Sequence, residues 1–421
     1  MRYIARQFSE IEEFISSKKP EQGGLPPLCK TGKADGGKSV RGLKGVVSLF
    51  LRQRARLIFS QVTEADMTII GPDTMTKRFA FTFLLLLCWT LTVQAQFDFT
   101  PNDPDGTRHS GGPRLGKSQT QIYRAGIILE PGLALDNVEI SVPVPMQWRE
   151  QRIISVNEET MDAGLASRIR YQVINGGIQE MYIPLGSVMP TKPLEIVVAF
   201  ELENYELLPP DNPSQYVIPK QVPMEIQQYL RESPCIERDP KFVKLFAEIT
   251  KERRTDWDKV EALYSFVQNN VKYNDKAWKE PAKGALSVIK MPKGEWTADC
   301  KDMTCLFVAL CRAGKIPARV VRVPQHCYAE FYLELKQESR PGQGRANNGR
   351  TMGYWFPCQV SGMYAFGGIP EKRVILQKGD SFPDPANPMA KTLFPAEVFQ
   401  GTKSPGTPAV QYRWVHDVVV K

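Results

Sequence analysis

The sequence predicts an α+β fold: an all-β sandwich followed by a region in which a few helices pack on an antiparallel sheet. Three observations predict it. Between residues 122 and 208, short alternating apolar runs at 125–129, 138–144, 168–174 and 194–202 are separated by Gly, Pro, Asn and Asp, as in the half-buried strands of a sandwich. Beyond the proline-rich stretch from Leu208 to Pro213, apolar residues recur three and four apart, the period of amphipathic helices. After a third helical run, strand-like segments return.

In order along the chain, residues 96–121 are rich in Gly, Pro, Asp and Ser without apolar periodicity, and are expected to be a flexible lead-in. The sandwich follows at 122–208 and a linker at 209–232. The first helix starts after Asp239, a capping residue, with Pro240 in its first turn; Phe242, Leu245, Phe246 and Ile249 form its apolar face. The second carries Trp257, Val260, Leu263, Tyr264 and Val267. The third spans 301–313 with Met303, Leu306, Phe307 and Leu310 in one stripe, and Gly314 and Pro317 end it. Strands are expected at 318–323, 327–335, 354–359 and 373–377, and a polar, Gly-rich surface insertion at 337–353. The helical region runs over 233–382, and 383–421 is expected to pack on it as an extension.

The chain has 421 residues, 42% hydrophobic and 24% charged, a globular composition that excludes collagen-like, wholly disordered and multi-span membrane classes. Of the formal net charge of +8, residues 1–78 hold +6, with 14 Lys and Arg against 8 Asp and Glu. The remainder is close to neutral and carries no nucleic-acid footprint. Neither a P-loop nor a dinucleotide-binding glycine motif occurs, and the three histidines are scattered, so no cofactor and no metal are expected.

Residues 75–95 read as a secretory signal. Lys77 and Arg78 precede an apolar run from Phe79 through Leu84 to Leu87, and Val93-Gln94-Ala95 offers a small-residue cleavage site. The expected translation start is Met75, with 1–74 a non-native extension or disordered. A single-pass anchor is the alternative, but the apolar run is shorter than the roughly 20 residues a span needs. Export places the product in the periplasm or outside the cell, without stable membrane insertion after cleavage. Six cysteines, Cys235, Cys300, Cys305, Cys311, Cys327 and Cys358, would then meet an oxidising compartment. They contain no CxxC pair and outline neither a zinc site nor a disulfide framework.

Cys300 sits just before the third helix, where unpartnered N–H groups and the positive end of the macrodipole favour thiolate. A nucleophilic thiol also needs a base. With His109 in the lead-in and His416 near the C-terminus, His326 is the remaining candidate.

The residues around this pair resemble the transglutaminase-like superfamily of papain-type thiol folds. The resemblance rests on an ordered series: Phe266-Val267-Gln-Asn269-Asn270-Val271-Lys-Tyr273, Gly284-Ala285-Leu286, Cys300-Lys-Asp302, Gly314 to Arg319 reading Gly-x-Ile-Pro-Ala-Arg, and His326-Cys-Tyr328-Ala-Glu330. It covers about 233–382 and implies a papain-like transglutaminase core preceded by a sandwich, in a bacterial secreted protein. One position departs from the family pattern. Where Trp-x-Pro-x-Asp is usual, the chain has Trp355-Phe-Pro357-Cys358-Gln359, an amide in place of the triad carboxylate. A Gln carbonyl can accept the same imidazole N–H, so Cys300, His326 and Gln359 form the expected triad. Glu330, on the same strand face as His326 by period two, is a candidate to assist or replace Gln359, with a structural role, implied by its match to the family motif, as the equal alternative. Trp296 is a candidate to line an acyl pocket, with packing as the simpler role, and Asp302 to act on the helix start electrostatically.

The implied activity is cysteine-dependent acyl transfer on peptide or glutamine amides, by hydrolysis or crosslinking, with a protein or peptide substrate. The competing reading is a catalytically silent module that binds peptides outside the cytoplasm. If His326 lies directly opposite Gln359 on antiparallel strands, Cys327 lies opposite Cys358, within reach of a disulfide.

Overall fold

The alternation between 122 and 208 builds six strands: β1 (Arg114–Leu129), β2 (Leu135–Val144), β3 (Gln151–Glu158), β4 (Arg170–Ile174), β5 (Ile178–Val188) and β6 (Leu194–Leu208). A computed structural model of the chain describes residues 112–132, 134–159, 168–276, 280–336, 352–385, 387–403 and 410–421. The expected extension, the signal segment, residues 96–111 of the lead-in and residues 337–351 of the insertion lie outside these. Strands β1, β6 and β3 form one layer, and β2, β5 and β4 belong to the other. Ile127 and Phe200 of the first meet Ile140 and Met181 of the second in a buried core.

The rest of the chain forms β7 (Tyr216–Val217), α1 (Pro240–Thr250), α2 (Asp256–Asn270), β8 (Lys272–Tyr273), α3 (Ala285–Lys290), β9 (Thr297–Ala298), α4 (Cys300–Ala313), β10 (Ala318–Val323), β11 (His326–Leu335), β12 (Gly353–Gln359), β13 (Ala365–Phe366), β14 (Gln377–Lys378), β15 (Phe382–Asp384), β16 (Asn387–Thr392), β17 (Val398–Lys403) and β18 (Tyr412–Val420). The α+β class holds. The sheet under the helices runs β13-β12-β11-β10-β14 and continues through β5 and β2 to β17. Sandwich and helical region therefore share one sheet, joined where Gln377 of β14 pairs with Ile178 of β5.

Helix α4 is the centre of the second region. Every residue from Cys300 to Arg312 is buried, so its polar side chains must find partners inside. Arg312 does so with Ala318 O, Arg231 O, Ser233 Oγ and, at 2.7 Å, the Asp380 carboxylate. Thr255 and Asp258 close a reciprocal capping box on α2, and Asp239 caps α1 ahead of Pro240.

Several expectations about boundaries are corrected. Strand β1 starts at Arg114, because the 15-residue β6 offers backbone groups along its whole length and the polar lead-in satisfies them from Arg114↔Leu208 onward. The 209–232 stretch is not a free linker: β7 pairs with β11, and Tyr216 is buried against Trp257 and Phe356. Residues 383–421 pack on the helical region through Leu393 and Phe394, as expected, but most of the segment joins the sandwich, β17 pairing with β2 and β18 with β1. The strand expected at 373–377 shortens to β14, because the Gln151 amide takes the place of a ladder partner, accepting from Ile375 N at 2.6 Å and donating to Ile375 O at 2.9 Å. Gly314 ends α4 with φ −85°, and Lys315 takes the left-handed conformation instead. The glycine is needed there because a Cβ would lie 2.1 Å from the Phe246 ring.

Candidate active site

The nucleophile position is built by the start of α4. Asp299, in extended conformation, accepts the Asp302 N–H at 3.0 Å and ion-pairs with buried Lys301. Cys300 is the first helical residue, where helix geometry leaves the N–H groups of Cys300 and Lys301 without intrahelical acceptors. The chain before it is fixed by Lys272 N–H donating to Trp296 O and Asn274 N–H donating to Ala298 O, both at 2.8 Å. Asp302 does not touch the imidazole. Its carboxylate accepts the N–H groups of Lys283 and Gly284, at 2.8 and 2.9 Å, and so ties the approach to α3 onto α4. Burial raises its pKa against those hydrogen bonds.

His326 opens β11 after a two-residue hairpin turn, Pro324-Gln325, in which Val323 pairs with His326. Proline at the first turn position and φ 58° at Gln325 define a type II turn; holding a non-glycine residue there costs about 1 kcal/mol. The ring Nε2 lies 3.2 Å from Gln359 Oε1. Since the amide oxygen only accepts, Nε2 carries the proton and Nδ1 is left for the thiol. The register differs from the expected one: Ala329, not Cys327, lies opposite Cys358. A slip of two residues preserves which face each side chain takes, so His326 and Gln359 still meet, on the diagonal. Cys327 and Cys358 are not directly opposed, and both are free thiols; the expected disulfide between them is not formed.

Electrostatics single out Cys300 among the six described cysteines. Its pKa is lowered to about 5, chiefly by a hydrogen bond from Cys327, against burial, with further help from the hydrogen bond and charge of His326. Burial pushes the other five upward, Cys235 to about 11. Thiolate character is what distinguishes a reactive cysteine from a structural one.

Two further candidates sit elsewhere. Glu330 is committed to a buried ion cluster, with Arg319 Nε at 2.7 Å and Lys378 Nζ at 2.6 Å, while Lys378 also pairs with Glu150. Burial alone would raise its pKa, but Arg319 and Lys378 outweigh burial and lower it. It braces the seam between sandwich and helical region. Trp296 donates Nε1–H to Met291 O at 3.0 Å and packs edge-on against Phe266. It lines a cleft of about 620 Å³ with Leu245 and Ile249 of α1.

Two neighbours carried no role in the sequence reading. Tyr273 is 48% exposed, and its pKa is raised by burial and then by the charge of Cys300, which sets it beside the nucleophile. Cys327 follows His326 directly and hydrogen-bonds Cys300; its proximity was hidden because strand alternation alone says only that it faces away from His326. Among the described residues, no group of three His, Cys, Asp or Glu side chains is arranged to hold a metal ion, and no helix is long and apolar enough to cross a membrane.

Cys300 at a helix start, the His326 imidazole on β11 and the Gln359 amide beside it make up the candidate site. Residues 243–357 match the family model of the transglutaminase-like superfamily, and this part of the chain is a transglutaminase-like domain. The match includes Cys300 and His326 and ends two residues before Gln359. An "Uncharacterized protein" of Haemophilus influenzae is 26% identical over 231 residues, which are 46% of this chain and 59% of that protein; the chain thus spans somewhat over half the relative's length. A solved structure from Cytophaga hutchinsonii, named a "Putative Cysteine Protease", aligns over 72% of this chain and 92% of its own, at 15% identity and a TM-score of 0.45. Another, a "Putative Protease" from Parabacteroides distasonis, aligns over 57% and 47%, at 11% identity and a TM-score of 0.21.

Proposed function

We propose that the chain is an exported thiol acyl-transfer enzyme acting on peptide or glutamine amides, with Cys300 as nucleophile, His326 as proton shuttle and Gln359 as the group that orients the imidazole. What supports this reading is Cys300 as the first residue of a buried helix, its pKa lowered in part by His326, whose Nε2 lies 3.2 Å from Gln359 Oε1. The Cys300 thiolate adds to the amide carbon, and the first N–H groups of α4 stabilise the oxyanion. The C–N bond then breaks, His326 gives its proton to the departing nitrogen, and a thioester remains. Attack by water, whose proton returns to His326, breaks the C–S bond and yields the acid; attack by an amine yields a crosslink. Cys300 is only 1% exposed.

Peptide mapping after limited alkylation at pH 6 tests the reading. Selective modification of Cys300, together with its loss of amide-cleaving activity, is the expected result; uniform, slow labelling of the six described cysteines would overturn it. The amide at Gln359 in place of a carboxylate, and the burial of Cys300, favour the second reading, a silent peptide-binding module, and that outcome would select it. Export is supported by the succession of basic, apolar and small residues at 75–95. The native protein is expected to begin at Gln96, and N-terminal sequencing that finds Met1 would rule out cleavage.

A further inference from the structure

Cys327 has no part in the acyl-transfer steps, yet it is placed where a second thiol matters. Cys300 and Thr304 are four residues apart on α4 and lie on one helix face. Cys327 Sγ, on β11, is 3.7 Å from Thr304 Oγ1 and is buried in the same core cluster as Cys300. A buried thiol therefore packs against the helix face that carries the nucleophile, one turn from it. The remaining four described cysteines include three that are fully buried, Cys305, Cys311 and Cys358, none of them a hydrogen-bond partner of Cys300.

We propose that Cys327 is the resolving thiol of the Cys300 site, which captures the oxidised nucleophile as a reversible Cys300–Cys327 disulfide. The inference rests on the reading of Cys300 as a reactive thiolate, and not on which acceptor its thioester meets. The Cys300 thiolate attacks one oxygen of hydrogen peroxide or an organic hydroperoxide; an S–O bond forms, the O–O bond breaks, and hydroxide or alkoxide leaves. The resulting sulfenic acid is attacked by Cys327 sulfur. The S–S bond forms as the S–O bond breaks, and the hydroxyl leaves as water with the Cys327 proton. Both thiols lose one electron each, and the peroxide takes up the pair. Without a resolving thiol the sulfenic acid would proceed to sulfinic acid, which is irreversible; the bridge stops oxidation at a disulfide, which a dithiol reductant returns to two thiols by exchange, closing to its own disulfide as it does so.

The intact reduced chain is treated with a small molar excess of hydrogen peroxide, alkylated and mapped by mass spectrometry. The expected product is a linked pair of peptides containing Cys300 and Cys327, with alkylation of Cys300 reduced at least about tenfold and restored by dithiothreitol. Cys327→Ala, with Cys327→Ser as a second variant should the first disturb folding, is expected to accumulate sulfenic acid at Cys300, trapped by dimedone, and then sulfinic acid. Around Cys300 stand His326 and Cys327 from β11, Tyr273 from β8, and Asp299 with its partner Lys301 on its own element. Removing Cys327 alone should raise the midpoint of Cys300 alkylation by about one pH unit or more. Sulfinic acid forming at Cys300 equally fast with and without Cys327, or a bridge to another cysteine, would overturn the proposal. A bridge in a protein that cleaves no amide would remove the acyl-transfer reading and leave this one; cleavage without a bridge would do the reverse.

Discussion

At the residue scale, the site depends on a thiol that ionises far below the ordinary cysteine range. With the pKa of Cys300 at about 5, its alkylation rate should climb through pH 5 and level off above pH 6, whereas an ordinary thiol, with a pKa near 8.5, would still be rising at pH 8. Stopped-flow alkylation across that range reads the difference. Cys300→Ala and His326→Ala should each lower turnover by at least about 10²-fold while the thermal midpoint stays nearly unchanged, because neither side chain fills the core to the extent of an aromatic. Gln359→Asp supplies an anion to the protonated imidazole and should raise the rate; unchanged turnover would show that Gln359 only fixes ring orientation. Cys300 was legible in the sequence because a helix start is a local property, and His326 by the scarcity of histidine. The proximity of Cys300 and Cys327 was not, since it depends on how the start of β11 packs against the start of α4. The structural role expected for Glu330 as an alternative holds, but its partners were not legible, because strand alternation gives its face but not the Arg319 and Lys378 that claim it.

At the element scale, α4 is read from its apolar stripe but stabilised by what the stripe does not predict. Arg312 is inside the protein with a paired carboxylate, and Arg312→Ala leaves Asp380 buried and uncompensated, a loss of about 3–5 kcal/mol. Chemical denaturation of Arg312→Ala against Arg312→Met separates this effect, since the methionine fills the volume without restoring the charge. The seam between β11, β14 and the loop before β3 obeys the same logic. Because the folded-state pKa of Glu330 lies below its unfolded value, its ion cluster stabilises the protein fully above the unfolded carboxylate range. That stability is lost as pH falls through the lower, folded value. A stability profile against pH should therefore fall on the acid side, and Glu330→Gln should flatten that limb. Helices α1, α2 and α4 were legible from their apolar period, and the start of α1 from Asp239 and Pro240; the capping box of Thr255 and Asp258 on α2 emerged only in the structure. The reason for Gly314 was not, because the Phe246 ring that excludes a Cβ comes from α1.

At the scale of the whole molecule, the two regions are bound by a continuous sheet, and the chain end closes both of its sandwich layers. Strand β18 runs antiparallel to β1 from Gln121↔Val420 to Leu129↔Tyr412, and β17 lies along β2. These pairings join residues 257 to 299 positions apart, which no local pattern in 383–421 reveals. Removing residues 397–421 would leave β1 and β2 as open edges, which invite pairing with other chains. It would also uncover the contacts of Val415 with Ile128 and Val197, and of Trp414 with the sandwich core. Two such side chains contribute about 3–6 kcal/mol together, a large share of the 5–15 kcal/mol that holds a typical protein folded. Because β14 passes the sheet on from β5 to β10, loss of the sandwich should reach the strand that carries His326. A chain ending at residue 396 is therefore expected to be largely insoluble, and its soluble fraction should lose selective alkylation of Cys300 together with its cooperative thermal transition. A soluble truncated chain with the full-length midpoint and labelling rate would mean that the thiol site stands independently of the sandwich, and that the shared sheet is a contact without mechanical consequence.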